Sequence, residues 1–352
     1  MVKFKFKFFS KQDLNSFVSL SKTEYKKNNP ITSKKIVFWK HIASPFGPSY
    51  IHQISHKNKI VGRIMYEKKT LCINNKVFKI FNLSDLLINK NYRHPAKNFL
   101  RLIRGPTNFL KKKIVIHTAN ENSVKLYQNL LKLPNLFCIS GYCFLLNPFL
   151  FIKFFFHKKN KILDLYFLYK PFIFLFFLIF KLFKIQFSSS EISDKEIEHL
   201  KKNYQKNCNP FFDRSKSLIS WRCSIYKKKN VILYKVYYKK ILLGFFTLVK
   251  AKYKMLDCLI IIDFMFLENL NFFQKLILRI FVIYRAIVLK SDLIFFMANV
   301  RSSISKVFCG FPFFRINDKF LPHSSPFFVR QNIIKNKDFK NIQITLFDID
   351  YF

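Results

Sequence analysis

The sequence predicts an α/β (α+β) protein made of two tandem copies of one domain, and three observations carry that expectation. Residues Val77 to Leu131 read in order as strand, turn, helix, strand and helix, an alternation whose active edge lies where strands end and helices begin. Landmarks also recur at a fixed offset. Trp39 and Gly62 return as Trp221 and Gly244, 23 residues apart in each copy, while Asp85, Asn120 and Ser123 return as Asp263, Asn299 and Ser302, 178 or 179 residues on. A period near half the chain length is the mark of a duplication. Finally, 352 residues that are 50% hydrophobic suffice for two domains with real cores and exclude a disordered chain.

The elements follow in order. MVKFKFKFF alternates Phe and Lys with the period of a strand, and it has no continuous apolar core before a small-residue cleavage site, so no signal peptide is expected. Ser10 to Tyr25 reads as a capped amphipathic helix, and a polar link leads to Phe38-Trp39-Lys40. SPFGPSY is a turn, and the next two strands are joined through HKNKIVG around Gly62. The strand carrying Asp85 comes next, then a turn from Asn89 to Pro95, a helix, the apolar strand Ile114 to His117, and a helix opening at Asn122 or Ser123. In the second copy, SDKEIEHLKKNY corresponds to SKQDLNSFVSL, with Ser193 and Glu196 in capping-box spacing. The expected division is a first domain over 1–150, a Phe-rich linker over 151–190, a second domain over 191–330 and a tail over 331–352.

The linker's longest uncharged run, Pro171 to Phe180, is ten residues, against about 20 for a membrane span, and Lys170, Lys181 and Lys184 flank it. It is expected either to pack along the domains or to form a helix over 163–187 that lies at an anionic membrane surface without crossing.

Composition excludes several function classes. A net charge of +43 points to polyanions in general, but the lysines are spread along a chain with 47 Phe and 6 Gly. That pattern is what an A+T-biased genome writes, and nucleic acid is not an expected partner. Seven cysteines, odd in number and without a C-x-x-C pair, suggest a reducing cytoplasm and neither a disulfide scaffold nor a zinc site. The glycines are too scattered for a dinucleotide or Walker loop, and no G-x-S-x-G elbow occurs. His52 and His56, four apart on a strand, read as surface residues, and no metal is expected.

The segment N-E-N-S-V-K-L-Y is similar to the last motif of the GCN5-related N-acetyltransferases (GNAT), with Asn120, Ser123 and Tyr127 at its Asn, small-residue and Tyr positions. Trp39-Lys40 followed by P-F-G-P resembles acetyltransferase-like proteins encoded beside surface-polysaccharide genes, over Trp39 to Phe149. The resemblance implies two GNAT-like domains of mixed, mostly antiparallel sheet flanked by helices, with acetyl-CoA or another acyl-CoA as acyl donor. In that family the coenzyme pyrophosphate lies on backbone N–H groups of an R/Q-x-x-G-x-G/A loop at a helix N-terminus. The matching stretch here is Arg93-His94-Pro95-Ala96-Lys97-Asn98, where Arg93 fits, Ala96 and Asn98 replace the glycines, and Pro95 has no N–H to donate. By resemblance, Arg93, Lys97, Asn98, Asn120 and Ser123 are the coenzyme-binding candidates. Asp85 is the general base and Tyr127 the acid that protonates the departing thiolate.

Copy two has Lys306 where copy one has Tyr127, and FMFLENLNFFQK after Asp263 contains no phosphate loop. Copy one is therefore the expected catalytic copy. Asp213-Arg214 with Trp221-Arg222 resembles an R-D…W-R element that binds an acidic substrate or ties the domains. The implied function is acyl transfer to an amine or hydroxyl of a sugar or amino-sugar precursor of surface polysaccharide, in the cytoplasm or at the inner membrane face. Two alternatives stay open: a non-catalytic double domain that binds a glycan intermediate or assembly partner, and an aminoacyl transferase of the peptidoglycan-bridge type.

Overall fold

The computed structural model describes residues 2–348 apart from 27–28, 94–95, 112, 119–120, 147–181, 208–209, 227–229, 254–255, 318–324 and 331–335. Copy one contributes strands β1 (Lys3–Phe8), β2 (Tyr50–His56), β3 (Lys59–Ile73), β4 (Lys76–Ile88), β5 (Ile114–Thr118) and β6 (Asn135–Leu145). Its helices are α1 (Leu14–Glu24), α2 (Lys34–His41), α3 (Ala96–Arg104), α4 (Thr107–Leu110) and α5 (Glu121–Lys125), the last running on as a π-helical turn to Leu130. Copy two contributes β7 (Ile185–Ser188), β8 (Phe211–Phe212), β9 (Val231–Tyr238), β10 (Ile241–Tyr253), β11 (Leu256–Phe266), β12 (Leu293–Ala298), β13 (Phe314–Arg315) and β14 (Ser325–Arg330). Its helices are α6 (Asp194–Lys206), α7 (Lys216–Cys223) and α8 (Phe272–Val288).

The strands form one continuous sheet whose order is a palindrome: β1-β2-β3-β4-β5-β14-β6-β12-β11-β10-β9-β7. Each copy runs inward from its own edge strand, and its last long strand crosses to the other copy. β14 lies antiparallel on β5 of copy one, and β6 lies antiparallel on β12 of copy two. The two exchanged strands then pair with each other at the centre. Strand 135–145 thus completes the sheet of the opposite copy. Among the described pairs only β4 with β5 and β11 with β12 are parallel, so the sheet is mixed and mostly antiparallel.

The two faces of copy one's sheet carry different helices because successive strand residues point to opposite sides. Met65 packs with Phe17, Val18 and Val37 of α1 and α2. Its neighbour Tyr66 packs with Leu102 and Leu110 of α3 and α4. The predicted capping box is present at Ser193 with Glu196, and the expected cap at Ser10 is a second such box, with Asp13. Gly62 faces Ile88 across the β3–β4 ladder, and Gly244 faces Phe266 at the matching place in β10–β11. A Cβ on Gly244 would meet the Met265 carbonyl oxygen at 2.3 Å, which accounts for a glycine in the middle of a strand.

The copies meet through a second symmetric contact. Trp39 and Trp221 are each the sixth residue of an eight-residue helix, and their rings stack at 4.6 Å. The Trp39 indole N–H donates to the Trp221 carbonyl at 2.9 Å, and the Trp221 N–H returns to the Trp39 carbonyl at 3.1 Å. β8 of copy two pairs with β3 of copy one, adding a backbone tie.

Three expectations need comment. Residues 185–187, expected as the end of a helix over 163–187, are in strand β7, where pairing with β9 decides their conformation; 163–181 lies outside the described residues. No helix among the described residues is long and apolar enough to cross a membrane. His52 is buried, not superficial, with Nδ1 3.1 Å from the Leu102 carbonyl. In the stretch after 331, Phe339, Ile342 and Ile344 are fully buried and join the core.

Candidate active site

Asp85 sits at the one irregular step of the β3–β4 ladder. Pairing jumps from Met65 with Ser84 to Arg63 with Leu87, and Asp85 adopts a left-handed conformation with φ of 51°. Asp tolerates that region better than most residues, and such strained positions cluster at functional sites. The bulge turns the carboxylate toward α2. There the His41 Nε2–H donates to it at 2.6 Å, and the Lys40 ammonium donates at 3.1 and 3.2 Å. An ionised carboxylate only accepts, so His41 carries a proton on Nε2, and its Nδ1 is hydrogen-bonded with the Ser49 hydroxyl at 3.2 Å.

Glu67, on β3, completes the cluster. Lys40 lies 3.3 Å from it, the Asn82 amide donates at 3.4 Å, and the Ser84 hydroxyl donates to it closely. Burial alone would raise the Asp85 pKa; the Lys40 charge, the His41 hydrogen bond and the Arg63 charge outweigh burial and hold it well below the usual carboxylate range. Arg63 is itself fully buried, donating to the Phe17 carbonyl and the Ser21 hydroxyl at 2.8 Å each, and burial brings its pKa down to about 10. It remains charged at neutral pH. His41, Glu67 and Asp85 lie close enough to hold a metal ion, but Lys40 already supplies the positive charge between the two carboxylates.

The parallel ladder between β4 and β5 ends at Leu83 with His117. From Ser84 to Ile88, β4 pairs only with β3 among the described residues, beyond the point where its ladder with β5 ends. Ligands of open α/β sheets bind at such carboxyl ends. Tyr127 lies on the opposite face of the sheet from α2. It is buried, its ring 4.6 Å from that of His117 and 5.6 Å from that of Phe328, and burial raises its phenol pKa, so the hydroxyl stays protonated at neutral pH.

The remaining candidates are near the helix starts. Arg93 is exposed, bonded to Glu24 at 2.9 Å and to the Ile88 carbonyl at 3.1 Å. Lys97 is exposed and Asn98 half-buried on the first turn of α3, and Ser123 is half-buried on α5. Asn120, His94 and Pro95 lie outside the described residues. The fold thus joins Asp85 to a cluster on the α2 face and keeps Tyr127 on the other. Sequence reasoning missed Lys40, His41 and Glu67 as site residues. The one signal for Lys40 was its place beside Trp39, repeated as Arg222 beside Trp221; Glu67 belongs to no motif.

In copy two the corresponding Asp263 is tied up. Arg214 bonds it through Nε at 2.9 Å and Nη2 at 3.0 Å, the Thr345 hydroxyl donates at 2.9 Å, and Asp348 lies 2.7 Å from Arg214. All four residues are buried. Asp213 pairs with Lys201 at 2.7 Å. A cleft between the copies is lined by Lys40, Glu67 and Lys68 on one side and by Arg214, Trp221 and Arg222 on the other.

No protein-family model and no curated protein matches this sequence. Solved structures do match it in three dimensions. The N-myristoyltransferase of Saccharomyces cerevisiae, solved with bound myristoyl-CoA and inhibitors, superposes with a TM-score of 0.56 at 14% identity, covering 93% of this chain and 79% of that one. A conserved protein from Enterococcus faecalis V583, described as a probable N-acyltransferase, gives 0.54 at 9% identity over 94% of this chain and 73% of its own. A GCN5-related N-acetyltransferase from Anabaena variabilis gives 0.54 at 11% identity over 93% and 72%. The chain has the fold of the GNAT acyltransferases, present as two tandem copies that exchange their last strands.

Proposed function

We propose that copy one transfers an acyl group from a coenzyme A thioester to an amine or hydroxyl that enters through the cleft between the copies. The observation that carries this reading is the convergence of the Lys40–Glu67–Asp85 cluster and the stretch of β4 from Ser84, beyond its ladder with β5. That stretch would offer backbone groups to an extended, amide-bearing arm such as the pantetheine of coenzyme A. Arg93 before α3, Lys97 and Asn98 on its first turn and Ser123 on α5, together with Asn120, would hold its phosphates and arm.

Asp85, held far below the usual carboxylate range, is a weak base. It keeps Lys40 and His41 in place, and Glu67, which lines the cleft and is bonded to Ser84, takes the acceptor's proton. The acceptor attacks the thioester carbonyl carbon, the C–S bond breaks, and the thiolate leaves with the Tyr127 phenolic proton. Acetyl-CoA or a longer acyl-CoA is the donor. A sugar or amino sugar of a surface-polysaccharide precursor, met in the cytoplasm at an anionic membrane surface, is the proposed acceptor, supported by the Trp39-Lys40 and P-F-G-P resemblance and by the basic charge. Glu67→Gln tests the assignment. Turnover at saturating acetyl-CoA should fall about 10²-fold with the pH optimum lost, because the amide keeps the Asn82 and Ser84 contacts but accepts no proton. Unchanged turnover would remove Glu67 from the chemistry.

A further inference from the structure

The two copies can be aligned ladder by ladder, and the alignment isolates one unexplained histidine. In copy one a row runs across four strands on the α3 face: Tyr66, Leu83, His117 and Phe328. The same row in copy two is Leu248, Ile261, Phe296 and Tyr142. His117 therefore stands where the other copy has a phenylalanine. It is 2% exposed, and neither ring nitrogen has a hydrogen-bond partner among the described residues. A buried polar group left unpaired is disfavoured, and Phe296 shows that the fold accepts an apolar ring at this place. Burial first, and the nearby Arg330 charge second, bring the imidazole pKa down to about 3, so the ring is neutral, with one N–H donor and one acceptor nitrogen.

Position separates His117 from the other unpaired group in the row. The Tyr66 hydroxyl is closed in under Gly105 and Leu110, and a Cβ on Gly105 would lie 2.1 Å from it. His117 is instead the last residue of β5 that pairs with β4, at the point where β4 and β5 part, with its ring against Tyr127. An arm lying along Ser84–Ile88 has its next polar group beside it.

We propose that His117 is a ligand-contacting residue of copy one's donor site, hydrogen-bonding an amide or the thioester carbonyl of the acyl donor inserted between β4 and β5. The proposal rests on the acyl-CoA reading above and adds a specific contact to it. It also assigns the α3 face of the strand fork to the donor and leaves the α2 face to the acceptor.

The test is acetyl-CoA binding by calorimetry on the full chain, with the melting temperature of each unliganded variant alongside. His117→Phe copies the residue of copy two. It should keep or raise the unliganded melting temperature and weaken acetyl-CoA binding about five- to tenfold, the loss of one hydrogen bond. His117→Gln, which retains an N–H, should bind within about twofold of wild type. Tyr66→Phe removes the other unpaired group of the row and should leave binding unchanged. Wild-type binding by His117→Phe overturns the proposal while leaving the acyl-CoA reading intact. Equal weakening by Tyr66→Phe also overturns it, since the effect would then be general loosening of this face. If the wild-type chain binds no acetyl-CoA, both readings fall together.

Discussion

Copy one and copy two share strand order and the placing of Trp, Gly and Asp, yet they differ at almost every polar position around the Asp. Where copy one has Arg63, Glu67, Asn82 and His117, the same ladder positions of copy two hold Phe245, Val249, Ile260 and Phe296. Lys40 and His41 are matched by Arg222 and Cys223 at the end of the equivalent helix. One frame therefore supports two solutions. In copy two Asp263 and Asp348 share the buried Arg214 guanidinium, Thr345 adds a hydrogen bond, and the neighbouring ladder positions are hydrophobic. In copy one Asp85 and Glu67 share Lys40, His41 bonds Asp85 as well, and polar side chains occupy the neighbouring ladder positions. A fold needs only the first arrangement. Keeping buried polar groups in the second is disfavoured unless they do something, which is why the site is assigned to copy one.

The largest effect should come from breaking the copy-two arrangement. Arg214→Ala leaves Asp263 and Asp348 buried without their cation, and unfolding free energy should fall by about 3–5 kcal/mol. Chemical denaturation measures this. A loss under 1 kcal/mol would mean that Arg214 does not lock copy two.

A smaller effect distinguishes the copies by pH. The Asp85 pKa is lowered by folding, so its contribution to stability is complete above the ordinary carboxylate value near 4 and is lost as pH falls below it. The stability gap between wild type and Asp85→Asn should therefore shrink by about 2 kcal/mol between pH 5 and pH 2. A gap that does not change with pH would show that Asp85 is not held ionised by Lys40 and His41.

Much of this was legible in the sequence, and the legible part is local. The strand carrying Asp85, the capping pair Ser193 and Glu196, and the 23-residue Trp-to-Gly spacing follow from side-chain period, cap chemistry and the glycine that close strands require. The strand exchange was not legible, because nothing in β6 or β14 states which of two similar neighbours it will pair with. Glu67 was missed for a related reason. It lies in the basic strand segment YEKKT and becomes a site residue only when the Asp85 bulge brings Ser84, Lys40 and His41 around it. The stretch after 331, expected as a tail, gave no sign that Asp348 would reach Arg214.

The central claim is that chemistry belongs to copy one, and the residue pair Tyr127 and Lys306 tests it most directly, since they hold matching places after Asn120 and Asn299. Acetyl transfer from acetyl-CoA should be measured at saturating substrate for Tyr127→Phe and Lys306→Ala, with folding checked by melting temperature. Tyr127→Phe keeps the ring between His117 and Phe328 and removes the proton that the thiolate needs, so turnover should fall about 10²-fold while the chain stays folded. Lys306→Ala should leave turnover within about twofold of wild type. Wild-type turnover by Tyr127→Phe, or a comparable collapse in Lys306→Ala, would contradict the assignment of the active site to copy one.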